Sequence, residues 1–305
     1  NNNMSDFTDF FPTAAATSGG GGGGSSIANG VPTQILLVGG GGTGDGAGGG
    51  AGGFLDFLPT LLSGNTYTIS IGTSQVNTYI SGGGLVNTIV ALAGGAGGDQ
   101  DIGGSPGGSG GGGGNRSNVG AALSGGAATI GEGYYTQGNV GANGGVSFNA
   151  LYGAGGGAGK PGSSFTTGGD GLQSNIITAT NATTATVGEV LNTDEVWFAG
   201  GGGGSSPAFA GTGVGGKGGG GGEASRPGTP NTGAGSGGSD TRSTISGATG
   251  VAIIRIATSS FTGTTFETVA GSSITPGAGQ PVHTLTQGDD TVIVFRSGIT
   301  IMNLA

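Results

Sequence analysis

Residues that could do catalytic chemistry are few in this sequence and stand apart from one another. The single histidine, His283, lies in an alternating, strand-like run between Val282 and Thr284, which favours a structural place on a strand face. The chain has no cysteine, so a thiol nucleophile and a thiolate zinc site are both excluded. A general acid or base needs an oriented partner within hydrogen-bond reach, and no such pair stands out. We therefore expect that the protein is not an enzyme.

Two ligand-binding patterns occur in weak form. The acidic pairs Asp99 with Asp101 and Asp289-Asp290 offer the oxygen ligands that calcium prefers, but no complete ligand loop surrounds either pair. A hairpin turn is the simpler interpretation of Asp289-Asp290, which follows a glycine. Gly159-Lys160-Pro161 does not form a phosphate-binding loop, because proline stands where serine or threonine is required. We expect no metal and no cofactor.

Charge and hydropathy exclude several classes of partner. The 305 residues include 7 Lys+Arg and 16 Asp+Glu, which gives a net charge of −9. So few cations cannot neutralise a row of phosphates, so we expect neither nucleic-acid binding nor attraction to an anionic membrane surface. No apolar run approaches the roughly 18–20 residues that span a bilayer. The first residues also lack the basic and apolar regions of a secretory signal.

Aromatic side chains are the better candidates for binding, because they offer a large contact area at a low cost in entropy. Tyr134 and Tyr135 follow a glycine in a region without strand patterning, and Phe209 lies between two glycine blocks. Arg116 lies in a polar break that predicts a loop tip. We treat these four residues as candidate receptor contacts, with a structural role for the tyrosines equally open. For Trp197-Phe198 we favour a place in the core at the end of a strand.

The N-terminal residues combine a phenylalanine-rich apolar peptide with a spacer. Phe7, Phe10 and Phe11 lie within five positions and are followed by small residues and by six consecutive glycines, 19–24. Gly/Ser-rich spacers behave as flexible coil. Either this arm is a disordered terminus, or its phenylalanines anchor the chain by filling pockets of a partner.

Glycine dominates the rest of the chain, with 82 residues against a usual share of about 7%. The glycines occur in blocks, and short runs rich in β-branched or aromatic residues precede them. The predicted strands are 34–38, 67–72, 87–92, 146–152, 189–191, 195–198 and 251–256. No stretch has convincing helical periodicity. The sequence predicts an all-β or irregular fold without significant helix.

Ordering a glycine block loses much backbone entropy and buries almost no side chain. The blocks can escape this cost in two ways. They can remain flexible loops, or they can pack as extended helices with three residues per turn, whose amides and carbonyls point outward to neighbouring helices. Only glycine permits backbones to approach so closely, and we favour this polyglycine-II-like packing.

The succession of motifs resembles the glycine-rich domain of tail-fibre and adhesin proteins of tailed bacteriophages. The resemblance extends over residues 31–257 and rests on 35–42, 66–72, Trp197-Phe198 before its glycine block, 228–233 and the closing strand 250–256. It implies a packed glycine scaffold whose intervening loops contact the host surface.

One departure from that family concerns its opening strands, which residues 19–30 lack. The run 281–295 is similar to that opening hairpin but lies near the C-terminus. We therefore predict that a C-terminal hairpin pairs with 34–38, in the same chain or in a neighbouring one.

These observations predict three regions: an anchor arm (1–30), a glycine-rich body (31–258) and a C-terminal hairpin segment (259–305). The expected function is that of a non-enzymatic virion protein on the exterior of the phage particle. It would attach through its arm to other virion proteins, recognise a bacterial receptor and form a homo-oligomer, with a trimer as the first expectation. The alternative is a purely structural appendage, capsid decoration or fibre without receptor binding.

Overall fold

The computed structural model describes residues 30–115, 122–131, 137–145, 151–163, 165–206, 213–222, 226–239, 241 and 243–305. Short strands dominate the regular structure. The strands are β1 (Gly30–Val38), β2 (Phe54–Phe57), β3 (Thr60–Leu62), β4 (Asn65–Ser70), β5 (Thr78–Gly82), β6 (Ile89–Ala91), β7 (Leu172–Gln173), β8 (Glu189–Leu191), β9 (Glu195–Phe198), β10 (Val251–Ala257), β11 (Thr265–Thr268), β12 (Val282–Gln287), β13 (Asp290–Phe295) and β14 (Ile299–Leu304). The two helices are α1 (Ala179–Ala185) and α2 (Thr258–Phe261).

The described strands form three antiparallel sheets. The first has the order β12-β13-β10-β1-β2, with β3 pairing beside β2 on β1; the second has the order β11-β14-β4-β5-β6; and the third has the order β7-β9-β8. The chain is therefore all-β with very little helix, as the sequence predicts. Six of the predicted strands coincide with β1, β4, β6, β8, β9 and β10, whereas most of the seventh, 146–152, lies outside the described residues.

The first sheet is buried on both faces. One face packs on the second sheet through a core that includes Ile35, Ile254 and Phe295. Residues of the opposite face, such as Leu36 and Ile253, pack against α1 and the third sheet. A strand covered on both sides has no reason to alternate apolar and polar residues, which explains the continuous apolar runs that the sequence shows in β1 and β10.

The C-terminal hairpin completes the first sheet, although not in the predicted position. Its turn is the predicted one, because β12 ends at Gln287, β13 begins at Asp290, and Gly288 adopts a φ of +64°. However, β13 pairs with β10 rather than with β1. The prediction of direct pairing with 34–38 is wrong because β10 occupies one edge of β1 and β2 with β3 occupies the other.

Glycine-rich segments between the strands form a second body, which we call the glycine lattice. It comprises the described residues of 39–53, 92–115, 122–131, 137–145, 151–171, 199–206, 213–222 and 226–250. These segments are outside the named helices and strands, yet backbone hydrogen bonds between distant residues join them throughout. The blocks are therefore packed against one another, which decides between the two states left open above.

The hydrogen bonds of the lattice advance in steps of three residues. Amides three positions apart on one segment donate to carbonyls three positions apart on one neighbour. In residues 48–53 the donor–acceptor pairs are Gly48 with Gly153 and Ala51 with Gly156, Gly49 with Ser236 and Gly52 with Gly233, and Gly50 with Gly95 and Gly53 with Leu92, at 2.7–3.0 Å. In a helix with three residues per turn, successive amides point to three different neighbours and every third amide points to the same one. This arrangement is therefore polyglycine-II-like.

Backbone contact explains why the lattice needs glycine. A Cβ on Gly202 would overlap the carbonyl oxygen of Ser236, and a Cβ on Gly41 would overlap that of Ala234. Because no side chain fits between the segments, the backbones themselves fill the interior and satisfy one another's polar groups. The glycine excess is thus the packing material of this body.

Neither helix is predicted from the sequence. In α1, Ala179, Ala182 and Ala185 recur every three residues and bury one face against the first sheet. The Thr178 hydroxyl accepts a hydrogen bond from the Asn181 amide and caps the first turn. Two turns of alanine and threonine are too short for helical periodicity to stand out.

Candidate recognition surface

The glycine lattice has two ends. At the sheet end, strands and lattice join directly, and the residues there are Gly39, Gly53, Leu92, Gly171, Ala199 and Gly250. At the remote end, hydrogen bonds connect another set of residues, which includes Asp45 with Ser239, Asp101 with Asn115, Gly144 with Leu123, Gly145 with Leu151, and Tyr152 with Ser205. About six residues at ~3.1 Å each separate the two ends, so the lattice is ~19 Å long.

Most interruptions of the lattice adjoin the remote end. The described residues on either side of 116–121, 146–150, 207–212 and 223–225 lie at that end. The backbone scaffold thus brings the flanking residues of all four segments to one end, although the segments are far apart in sequence. Such an arrangement can present several short loops on one surface, in the way that rigid scaffolds position binding loops.

The candidate contact residues and the anchor residues lie outside the described residues; they are Arg116, Tyr134, Tyr135, Phe209, Phe7, Phe10 and Phe11. Their described neighbours separate the candidates into two groups. The residues that flank Arg116 and Phe209 belong to the remote end. The two tyrosines precede Gln137, whose side chain bonds the amide of Leu92 and the carbonyl of Val90 at the sheet end.

A groove of about 460 Å³ opens near the remote end. Phe165 lies beside it with a φ of +47°, a backbone conformation that is rare for a bulky residue. The other residues that line the groove are Ala122, Ala142, Asn143, Gly144, Gly145 and Gly162. An aromatic side chain in a strained backbone, next to glycine and alanine walls, is a candidate for ligand contact.

The aromatic pair of β9 divides between core and surface. Phe198 is fully buried, as predicted for Trp197-Phe198. Trp197 is half-buried; its indole nitrogen donates to a Glu195 carboxylate oxygen at 3.0 Å, and the Lys217 ammonium lies 4.9 Å from the ring centroid. Glu189 accepts the amides of Gly218 and Gly219 at 2.6 and 2.9 Å. These contacts fix a turn of the lattice to the third sheet.

Lys160, which the sequence excludes from a phosphate loop, forms an ion pair instead. Its ammonium lies 2.7 Å from a carboxylate oxygen of Asp170, and this hydrogen bond raises the pKa of Lys160. Partial burial alone would raise the pKa of Asp170, but the hydrogen bonds from Lys160 and from the Lys217 amide outweigh it and lower that pKa. The pair is partly exposed and fixes a turn at the sheet end.

His283 occupies the strand face that the sequence predicts. It is buried in β12 and pairs with Val294 of β13, next to α1. Burial lowers the pKa of His283, and the positive charge of Arg296 lowers it further. Arg296 itself donates to the Ala185 carbonyl at 3.0 Å and to the Thr186 hydroxyl at 3.2 Å, at the end of α1. The surroundings of His283 thus favour a neutral imidazole in a structural place.

The acidic pairs have separate structural surroundings. Asp290 accepts a hydrogen bond from Arg255 at 2.7 Å across the first sheet. Asp99 and Asp101 lie in a turn where Asp101 has a φ of +61°. Within the described ranges, no three His, Cys, Asp or Glu side chains come together as a group that could hold a metal ion. Nor does any helix described in the structure have the length and apolar character needed to cross a membrane.

Sequence reasoning did not select the groove residue Phe165. The signal was present, because Phe165 is an isolated aromatic between serines and threonines, as Phe209 is between glycine blocks. What the sequence could not reveal is which interruptions share one end of the lattice, since that depends on hydrogen bonds between residues more than 100 positions apart.

Comparisons with known proteins identify the body. A family model described as "Glycine-rich domain" matches residues 26–257, well over half of the chain. No curated protein and no solved structure matches the chain. The match spans the lattice and ends with the last residue of β10, so the packed glycine segments and the strands that bracket them are the matched unit. The chain belongs to the glycine-rich domain family.

Proposed function

We propose that this protein is a non-enzymatic recognition protein on the exterior of a phage particle, of the tail-fibre or adhesin type, and that it contacts the bacterial surface with the remote end of its glycine lattice. The observation that carries the proposal is that the described residues flanking 116–121, 146–150, 207–212 and 223–225 all lie at that end. The resemblance of the ordered motifs to phage adhesin domains gives the class of particle and target.

The lattice suits this task because it is rigid without large side chains. Every segment is held by hydrogen bonds to several neighbours, so the ends of the segments at the remote end are fixed relative to one another. A loop whose two ends are fixed loses less conformational entropy when it binds a receptor. Substitutions inside the loops leave the lattice bonds untouched, so recognition can change without altering the scaffold.

Within the remote end, we assign contact roles to Arg116, Phe209 and Phe165. The described residues that flank the segments of the first two belong to the remote end, and Phe165 lines the groove near that end. Tyr134 and Tyr135 receive no contact role in this proposal, because Gln137 next to them is bonded at the sheet end. A protein or glycan receptor is compatible with these side chains.

Attachment to the particle is assigned to the N-terminal arm, with Phe7, Phe10 and Phe11 as anchor residues for other virion proteins. The arm precedes β1, whose first residue pairs with Leu62 of β3 at the end of the sheets away from the lattice. Gly30, the first described residue after the arm, therefore lies at the end of the sheets opposite the lattice. A homo-oligomer, with a trimer as the first expectation, would present several remote ends to one cell surface.

The test is competition for adsorption. We expect that the purified chain, added to host cells before the phage that carries it, reduces phage adsorption in a dose-dependent way. The double variant Arg116→Ala/Phe209→Ala should lose most of this competition, about tenfold or more in the required concentration, since a few anchor side chains carry most of the energy of an interface.

The matched control is the double variant Tyr134→Ala/Tyr135→Ala, which removes two aromatic side chains from a segment whose described neighbour Gln137 is bonded at the sheet end. It should compete like the unchanged protein. Failure of the unchanged chain to compete at any concentration, together with antibody labelling of the capsid shell, would refute the receptor role. That result would favour the structural alternative, a capsid decoration or spacer that uses the lattice for rigidity alone.

A further inference from the structure

We propose that the phenylalanine-rich arm, residues 5–12, docks into a groove of its own chain, between the edge strands β11 and β12. The two sheets that enclose the main core end on this side, since β12 is the outermost strand of the first sheet and β11 is the outermost strand of the second. Between them the structure leaves a groove of about 400 Å³. This docking is independent of the remote end and goes beyond the proposed function.

The groove is suited to aromatic side chains. Its floor continues the apolar core, because Phe266 is buried there and contacts Phe261 and Phe295 with ring centroids 6.3 and 6.0 Å apart. Ile274 and Pro276 also line the groove, and the Ile274 amide donates to the Phe266 carbonyl at 2.7 Å. Aromatic pairs prefer such offset or edge-on arrangements, so a further phenylalanine can extend the existing cluster without displacing it.

Polar groups at the groove favour an extended peptide. The Arg296 amide donates to the Pro281 carbonyl, which shows that alternate residues of β12 bond β13 and that the backbone of Thr284 faces outward. The described part of the chain provides no hydrogen bond to these outward groups of Thr284. The Thr264 hydroxyl is also buried at the groove without a partner among the described residues. The carbonyls of the two nearest outward-facing residues already accept hydrogen bonds, that of Val282 from the Gly277 amide and that of Thr286 from the Asn181 side chain. An extended peptide would therefore pair with this edge at Thr284, as in β-augmentation.

The spacer has the length that this docking requires. Strand registers place Thr284 level with Ile293, Ile254 and Ile35 across the sheet. Three strand spacings of about 4.8 Å and five residues of about 3.4 Å separate this level of β12 from Gly30, which gives a distance of ~22 Å. The spacer 13–29 is rich in glycine, serine and alanine, and a coil of that length has an r.m.s. end-to-end distance of about 21–25 Å. The effective concentration of a tethered ligand is highest when these two lengths agree.

Docking and attachment use the same phenylalanines, so one molecule cannot do both at once. In the free protein the arm covers its own groove, which hides three aromatic side chains from other proteins. On the particle the arm leaves the groove and binds another virion protein. The groove thus acts as a storage site for the anchor before assembly.

A disulfide-trapping experiment tests this proposal in the full-length chain, which contains no cysteine of its own. We would combine Thr8→Cys in the arm with Thr275→Cys, an exposed residue that lines the groove. The control pair is Thr8→Cys with Ile102→Cys, whose side chain is 61% exposed at the remote end. With oxidised glutathione as the oxidant, the groove pair should close within one chain at least about tenfold faster than the control pair, because docking raises the effective concentration.

Adding Phe7→Ala, Phe10→Ala and Phe11→Ala to the groove pair should slow its closure to the rate that the tether alone gives, whereas Thr17→Ala in the spacer should leave the rate unchanged. Closure of the groove pair at the same rate with and without the three phenylalanines would overturn the proposal. Equal rates for the groove pair and the control pair would overturn the proposal. Disulfides formed mainly between two chains, with a rate that rises with protein concentration, would also overturn it, because the arm would then occupy a neighbour's groove.

Discussion

Replacing Gly202 by alanine is expected to destabilise the protein by about 3 kcal/mol or more, since strain from one added methyl group typically costs about 1–3 kcal/mol and each broken hydrogen bond about 1 kcal/mol more. The added Cβ would overlap the Ser236 carbonyl oxygen. The amide of Gly202 donates to Gly49 at 2.9 Å, and its carbonyl accepts from Gly155 at 2.8 Å. Any shift that makes room for the methyl group must therefore strain or break bonds to two other segments.

Gly277→Ala is the matched control for that substitution. Gly277 has no neighbouring atom closer to a Cβ than the Gln280 Cγ at 4.0 Å, and its φ lies outside the left-handed region. Alanine at such a position is expected to be neutral or to stabilise the protein by about 0.4–1 kcal/mol, because it lowers the conformational entropy of the unfolded chain. Urea unfolding of both variants measures the contrast. Equal stabilities would mean that the lattice segments yield to a side chain, against the packing described here.

Ile293→Ala is expected to destabilise the protein by about 2–5 kcal/mol, the usual range for a large side chain removed from a core. Ile293 is fully buried in β13, between Thr284 of β12 and Ile254 of β10. The residue lies beyond the part of the chain that the glycine-rich family model matches. A large effect would show that the C-terminal strands are an integral part of the fold and share a core with β1 and β10.

Ile299→Ala provides the comparison, because it removes the same atoms from a neighbouring C-terminal strand where the side chain is 43% exposed. Its expected cost is below about 1 kcal/mol. Thermal or urea unfolding distinguishes the two variants. If Ile293→Ala were as mild as Ile299→Ala, the C-terminal hairpin would be a peripheral addition to the body.

The strands that the sequence predicts are those with local patterns strong enough to stand alone. β1 and β10 are continuous apolar runs because both of their faces are buried, and β4 alternates because it covers one face of the core. β2, β3 and β7 are short and were not predicted, because their pairing depends on the completed sheets. The place of the C-terminal hairpin depends on which edge of β1 remains free, a question of tertiary structure that no local pattern can answer.

The sequence predicts that the glycine blocks pack backbone against backbone, but it does not predict how the segments of the lattice are arranged. The entropy of ordered glycine points to backbone packing, and the three-residue period of the hydrogen bonds confirms that prediction for the described segments. The sequence does not predict which glycine segment packs beside which, because glycine has no side chain that could specify a neighbour. The residues that interrupt the glycines, such as Asn139 and Ser236 with their bonds to backbone carbonyls, carry part of that information.

Hydrogen exchange of glycine amides tests the central claim most directly, namely that the glycine blocks form an ordered lattice. In residues 48–53 every amide donates to a carbonyl of another segment. Uniform ¹⁵N labelling should show these amides exchanging about 10³-fold or more slowly than those of an unstructured chain, as expected where exchange requires unfolding of a stable domain. Gly279, in an exposed turn, should exchange fast. Exchange of residues 48–53 at the rate of unstructured glycine, while amides of β1 and β10 remain protected, would contradict the lattice and the surface that it is proposed to support.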